Sequence, residues 1–195
     1  MVRVIVVVPT YENICPEVFK AIYDLDKGEN EVDFEFIKGY DTATSRNKIA
    51  MEAMQLKYDY VLMVDNDTII PHDTLLNMLD PQEDIVLGFC PIKNTKNKSS
   101  ALIRISNPRN YIKMDELPRL PNRVELKDGG MACALIKTDV FEKLPFPWFY
   151  FEQRRDGFQA SEGYYFCDKA RENGFRIWGD TRVKCGHLAR YFQYE

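Results

Sequence analysis

The chain has 195 residues, with 26 Lys and Arg against 30 Asp and Glu and a formal charge of −4. That length suits one compact α/β domain with a buried core, and 45% hydrophobic with 29% charged residues separates it from disordered chains. The mild acidity argues against bulk nucleic-acid binding, which needs a basic stripe, and no apolar run approaches the roughly 20 residues that span a bilayer.

Val2 to Val8 is a nearly continuous β-branched run, the pattern of a strand buried on both faces. Ending at Pro9 with no small-residue cleavage site, it is too short for a signal-peptide core. A helix is predicted from Pro16, with Val18, Ile22 and Leu25 on one face. Phe34–Ile37 reads as a second strand. A second helix follows, with Ile49, Ala53 and Leu56 on one face and Thr42, Thr44 or Ser45 as its cap. Asp59–Val64 reads as a third strand, Pro71–Leu79 as a third helix and Asp84–Gly88 as a fourth strand. This alternation predicts an α/β fold with a mostly parallel central sheet.

After Gly88 the rhythm changes. Residues 93–130, rich in Lys, Asn, Ser and Pro with short β-like pieces, read as a mobile insertion. Met131–Ile136 is predicted as a buried strand, Ser161–Asn173 as a late helix, and Phe175–Trp178 with Arg182–Cys185 as closing strands. Five cysteines (Cys15, Cys90, Cys133, Cys167 and Cys185) are scattered without a C-x-x-C pair. That spacing argues against a disulfide framework or a thiolate zinc site and predicts a cytoplasmic protein.

The chemistry begins at Asp65-Asn66-Asp67, directly after the third strand. Ligands of open α/β sheets bind outside the carboxyl ends of the strands. In extended chain, residues i and i+2 project to one side, so Asp65 and Asp67 can address one site. Paired carboxylates suit a hard divalent cation, Mn²⁺ or Mg²⁺, which can neutralise a departing diphosphate. An acidic turn is the competing reading. Pro9-Thr10-Tyr11 ends the first strand, where Tyr11 could stack on a base. Arg46 opens the second helix, where anions are favoured. Gly129 and Gly130 permit close backbone approach to a ligand. Pro147-Trp148-Phe149-Tyr150-Phe151 offers Trp148 as an acceptor or donor sugar platform, against the reading of the run as a normal core strand with one exposed face.

Taken in order, Pro9-Thr10-Tyr11, Ser45-Arg46-Asn47, Asp65-Asn66-Asp67, Ser161-Glu162, Gly174-Phe175-Arg176-Ile177-Trp178 and Gly186-His187 resemble the GT-A nucleotide-sugar glycosyltransferases, particularly the family 2-like group. The resemblance covers almost the whole chain. It implies a single GT-A αβα domain, with residues 1–90 as the nucleotide-binding half and 91–195 as the acceptor and metal-completing half. By resemblance, Asp65, Asp67 and His187 hold the Mn²⁺ or Mg²⁺. Pro9, Thr10, Tyr11, Asp41, Arg46, Asp65, Asn66, Gly129 and Gly130 serve the donor, a UDP-sugar being favoured. The acceptor is a glycan, lipid or protein, which could bring the protein to a membrane surface.

One departure stands out. The family's late motif carries two acids, the second being the usual general base of inverting members, and here the pair is Glu162-Gly163. The base then falls to Glu162, to Asp156, or to no residue, as in a retaining mechanism. Glu162 also reads as a first-turn acid complementing the helix dipole. A domain that binds nucleotide-sugar or glycan without efficient transfer is the alternative. A sugar-phosphate nucleotidyltransferase ranks lower, because its glycine-rich basic first loop is missing.

Overall fold

The computed structural model describes residues 1–11, 13–92, 98–103, 111–153 and 159–188. The valine run forms β1 (Arg3–Thr10), buried from Val4 onward. Its alternate residues serve two faces. Val4, Val6 and Val8 join Val18 and Ile22 of α1 (Pro16–Tyr23) in one apolar layer. Ile5 and Val7 belong to the opposite layer. Burial on both sides is why the run carries no polar alternation. β2 (Glu31–Lys38) pairs parallel with β1 at the sheet edge. α2 (Thr42–Gln55) lays Ile49, Ala50 and Ala53 against the layer of Ile5 and Val7. Its cap is Asp41, whose carboxylate accepts from Thr44 N, rather than one of the three hydroxyl residues expected from the sequence.

β3 (Tyr60–Val64) is wholly buried and parallel to β1. The short β4 (Thr68–Ile69) and α3 (Thr74–Leu79) lead to β5 (Ile85–Phe89). Next come β6 (Lys98–Ile103), β7 (Tyr111–Lys113) and β8 (Arg123–Gly129). These three join the main sheet as its far side, a correction to the reading of 93–130 as a mobile insertion. Stretches 93–97 and 104–110 lie outside the described residues. Only β7 is an edge strand, but β8 is half-buried at four of its seven positions, and a strand only partly buried needs no continuous apolar run, so composition hid it.

β9 (Cys133–Lys137) is followed by α4 (Thr138–Lys143), a helix the sequence reading did not anticipate. The hairpin pieces β10 (Glu152–Gln153) and β11 (Gln159–Ala160) precede α5 (Glu162–Glu172). β12 (Ile177–Lys184) is one bulged strand where two were expected, and β13 (Gly186–His187) follows it. Among the described residues the sheet has nine strands in the order β2-β1-β3-β9-β5-β12-β8-β6-β7. The pairings make it mixed, with β9 antiparallel between β3 and β5 and β8 antiparallel to β12. Six of the nine nevertheless run one way, so the carboxyl ends of β1, β2, β3, β5 and β12 gather on one rim. No helix among the described residues is long and apolar enough to cross a membrane.

Candidate functional site

β3 ends at Val64 and the chain turns at once, Thr68 N donating to Asp65 O at 3.0 Å. That turn leaves the carboxylates of Asp65 and Asp67 on the rim, 30% and 22% exposed. β13 then returns from the far end of the chain to pair antiparallel with β4, His187 opposite Thr68. Leu188 N donates to Asp67 O at 2.8 Å, which fixes the register. His187 Nε2 therefore lies 3.4 Å from Asp67 Oδ1.

The imidazole has a second tie. His187 Nδ1 is 2.7 Å from the Pro91 carbonyl oxygen, a distance that assigns the Nδ1 proton as the donor. In the neutral ring, Nε2 then turns a lone pair toward a carboxylate oxygen. Two such atoms repel unless a proton or a cation lies between them. The donor types are right for a borderline-hard divalent ion, imidazole and carboxylate being the ligands Mn²⁺ accepts. Asp67 and His187 thus carry donor types that suit a cation, although no group of three or more His, Cys, Asp or Glu among the described residues is arranged to hold one.

Asp65 is engaged differently. Its Oδ1 accepts from Arg46 Nη2 at 2.7 Å, and Arg46 Nε donates to Glu162 Oε1 at 3.2 Å. Arg46 is 1% exposed, so the sequence expectation that it reaches the donor is corrected: its charge is spent between two carboxylates. Burial opposes that charge, but Asp65 and Glu162 prevail and hold the guanidinium above its ordinary pKa. Glu162, the first residue of α5, is buried as well. Arg46 thus bridges Asp65 and Glu162, with Asp67 in the same turn as Asp65.

The remaining expected residues divide. Thr10 Oγ1 donates to Asn13 O at 2.8 Å and accepts from Asn66 Nδ2 at 3.3 Å, tying the end of β1 to the Asp65–Asp67 turn. Pro9 is buried within β1, while Tyr11 stands 71% exposed just beyond it. Asp41 is exposed and serves α2: Thr44 donates to it through both hydroxyl and backbone N–H, and these bonds lower its pKa. Gly129 is buried at the end of β8 with its carbonyl facing Cys167 Sγ at 3.8 Å, and Gly130 follows half-buried. Asp156 lies outside the described residues.

Trp148 is a core residue, which corrects its assignment as a sugar platform. It is 5% exposed, packs edge-on to Phe141 at 5.4 Å, and donates Nε1–H to the carbonyls of Phe141 and Leu144. Gly163 has a packing reason of its own. A Cβ there would lie 3.0 Å from Met131 Cγ, 3.3 Å from Met131 N and 3.4 Å from Gly129 O, so an acid at this position would displace its neighbours.

Sequence reasoning placed Asn47 in a motif but missed its task. Its Nδ2 donates to Ala43 O and Phe149 O, and its Oδ1 accepts from Trp148 N and Phe149 N at 3.1 Å. One side chain therefore clamps the 148–149 backbone onto α2, next to Arg46. The available signal was an asparagine in the interior of a helix, where it is a poor helix former and usually has a side-chain task.

Comparisons with known proteins bear on the fold. No protein-family model matches the chain, and no curated protein sequence does. Among solved structures, the crystal structure of A197 from STIV superposes with a TM-score of 0.67 at 17% identity, over 96% of this chain and 86% of that one. GalNAc-T7, solved with UDP, GalNAc and Mn²⁺, superposes with a TM-score of 0.63 at 8% identity, over 98% of this chain. The chain spans 44% of the length of GalNAc-T7. At such identities the likeness is one of fold, and the fold is GT-A-like.

Proposed function

We propose that the protein is a metal-dependent glycosyltransferase that moves a sugar from a nucleotide-diphosphate sugar, a UDP-sugar by preference, to an acceptor hydroxyl. The observation that carries this reading is the pairing of Asp67 Oδ1 with His187 Nε2 at 3.4 Å on the carboxyl rim of the sheet, with Asp65 in the same turn. The GT-A-like fold supports it, as does the UDP, GalNAc and Mn²⁺ in the solved neighbour. Asp67 and His187 hold the divalent cation and Asp65 completes the set, shared with Arg46. When bound, the cation supplies charge neutralisation for the departing diphosphate.

The chain's own groups do the rest. Pro91 O fixes the His187 tautomer, and Arg46 sets the orientation of Asp65. Thr10, Tyr11 and Asn66 line the nucleotide, with the exposed Tyr11 ring as its stacking surface. Residues 1–90 form the donor half and 91–195 the half that completes the metal site and receives the acceptor, a glycan, lipid or protein. Within this scheme the family 2-like group is the closest kind. Glu162 reaches the rim from α5 as the base, with Asp156 as the other candidate.

Release of nucleotide from sugar-nucleotides with Mn²⁺ tests the proposal. The expected result is turnover that is lost with chelator and with Asp67→Ala; undiminished turnover in that variant would sink the metal assignment. The packing at Gly163 favours a second reading, a domain that binds nucleotide-sugar without efficient transfer, because it removes the position from which the usual base acts. Calorimetric binding of UDP-sugar with no product from a panel of acceptors selects it.

A further inference from the structure

Cysteines that look scattered in the sequence meet beneath the rim. Cys90 directly follows β5, Cys133 begins β9 and Cys185 lies between β12 and β13, at 2%, 0% and 5% exposure. β5 and β12 run parallel with Phe89 opposite Lys184, and Cys185 N donates to Phe89 O at 2.9 Å. The next residue along each strand is a cysteine, so Cys90 and Cys185 are lateral neighbours on adjacent strands, pointing to the same side of the sheet. Both belong to the apolar layer that contains Val64, Cys133 and Val183. Neighbouring strands are separated by roughly 4.8 Å, inside the Cα range of about 4.4–6.8 Å that a disulfide requires.

Cys90, Cys133 and Cys185 lie together in that buried layer. Cys133 reaches this group because Gly88 has no side chain: a Cβ there would lie 3.0 Å from Cys133 Sγ. All five cysteines of the chain are reduced. We infer that Cys90 and Cys185 are a modification site, a thiol pair that a hydroperoxide converts into a reversible cross-strand disulfide.

The step balances with the oxidant named. The Cys185 thiol, on the most exposed of the three residues, attacks one peroxide oxygen through its sulfur; the O–O bond breaks, the thiol proton goes to the departing hydroxide, and the products are a sulfenic acid and one water. The Cys90 sulfur then displaces the hydroxyl group, forming the S–S bond and releasing a second water. The thiols are oxidised and the peroxide is reduced. The bond would staple Cys90-Pro91 to Cys185-Gly186-His187, the two segments already joined by the His187–Pro91 hydrogen bond. Burial of both thiols slows the first step, so the chemistry belongs to sustained oxidation rather than to rapid signalling.

The test needs no assumption about activity. The folded protein is treated with hydrogen peroxide, alkylated under denaturing conditions, digested and mapped by mass spectrometry. The expected product is one intramolecular link between the Cys90 and Cys185 peptides. It leaves three alkylated cysteines, reverts to five with dithiothreitol, persists in Cys133→Ser and is lost in Cys185→Ser. Irreversible sulfinic or sulfonic acid at Cys185 without the link overturns the inference. So does a link that uses Cys15 or Cys167, or one that joins two chains. Far-UV circular dichroism of each variant establishes that the mapped protein is folded.

Discussion

Two buried ion clusters sit at different places in this sheet, built from the same groups in opposite proportion. At the rim, Arg46 lies between two carboxylates, Asp65 and Glu162. Beside α3, Asp180 lies between two guanidiniums, Arg123 at 3.2 Å and Arg182 at 2.8 Å. The surplus positive charge of the second cluster has a local sink. Arg123 Nη2 and Arg182 Nη2 both donate to the carbonyls of Asn77 and Asp80 at the end of α3, where the helix dipole is negative. In the first cluster Arg46 is shared between its two carboxylates, and Asp67 lies across the turn from Asp65. A cluster whose excess is absorbed by backbone is structural. The proposed function gives the rim cluster a different role, that of meeting a ligand of opposite charge.

The largest effects expected from breaking this comparison are on stability, and they should be alike. Arg46→Met leaves two carboxylates without their buried counter-charge, and Asp180→Asn leaves two guanidiniums. Each should cost about 3–5 kcal/mol, the usual consequence of breaking one side of a buried pair, measured by urea unfolding. The clusters part in a second readout. Arg46→Met also alters Mn²⁺-dependent UDP binding, whereas Asp180→Asn leaves the affinity of the folded fraction unchanged. Equal loss of binding in both variants would dissolve the distinction between them.

Trp148 shows how far a sequence can be read. A run of four aromatics has the same pattern whether its rings face solvent or core. What decides is α4, which supplies Phe141 and the two carbonyls that accept from the indole N–H, and nothing in residues 147–151 announces it. Trp148→Ala is expected to lose about 3–5 kcal/mol of stability, as large core truncations do. Folded Trp148→Ala should bind nucleotide like the parent, as followed by calorimetry; a selective loss of binding would restore the platform reading.

By contrast, β1, β3 and α2 were legible because burial on both faces, or on one helical stripe, writes itself into the apolar spacing. The Asp65–Asp67 turn was legible for the same reason, since it follows a strand too apolar to be anything else. The meeting of His187 with Asp67 followed from resemblance alone, because the β13–β4 pairing that makes it is two residues long on each side. Arg46 and Asn47 were seen as a motif but not as a frame: a charged residue in a helix looks solvent-facing until its partners 19 and 116 positions away are known.

A smaller and more selective effect belongs to Asp67. Asp67→Asn removes charge without removing volume, at a residue still reached by solvent. Stability in the absence of metal should move by no more than about 0.5 kcal/mol, as for most surface substitutions. Mn²⁺ affinity, followed by metal-induced thermal shift, should fall by at least about 10-fold, the lower end of what losing a metal-site group costs. No loss of metal response in Asp67→Asn would remove the functional half of the comparison and leave both clusters structural.

The smallest effect separates two roles for Asp41, expected from the sequence to serve the donor and seen here capping α2. Asp41→Ala should destabilise by about 1 kcal/mol at neutral pH, the ordinary value of a lost N-cap. The sign of its pH dependence follows from the lowered pKa, caused first by the Thr44 hydroxyl bond and then by the Thr44 N–H. A carboxyl depressed in the folded state contributes fully above its unfolded value and loses that contribution as pH falls through the folded one. The gap between parent and Asp41→Ala should therefore narrow on acidification below the usual Asp range. Asp41→Asn keeps an acceptor for Thr44 N and should retain most of the cap's stability. Retained stability with weakened UDP binding in Asp41→Asn would assign the residue to the donor site after all, because a cap works through the carbonyl-type oxygen that asparagine keeps, while a nucleotide contact would register the lost charge.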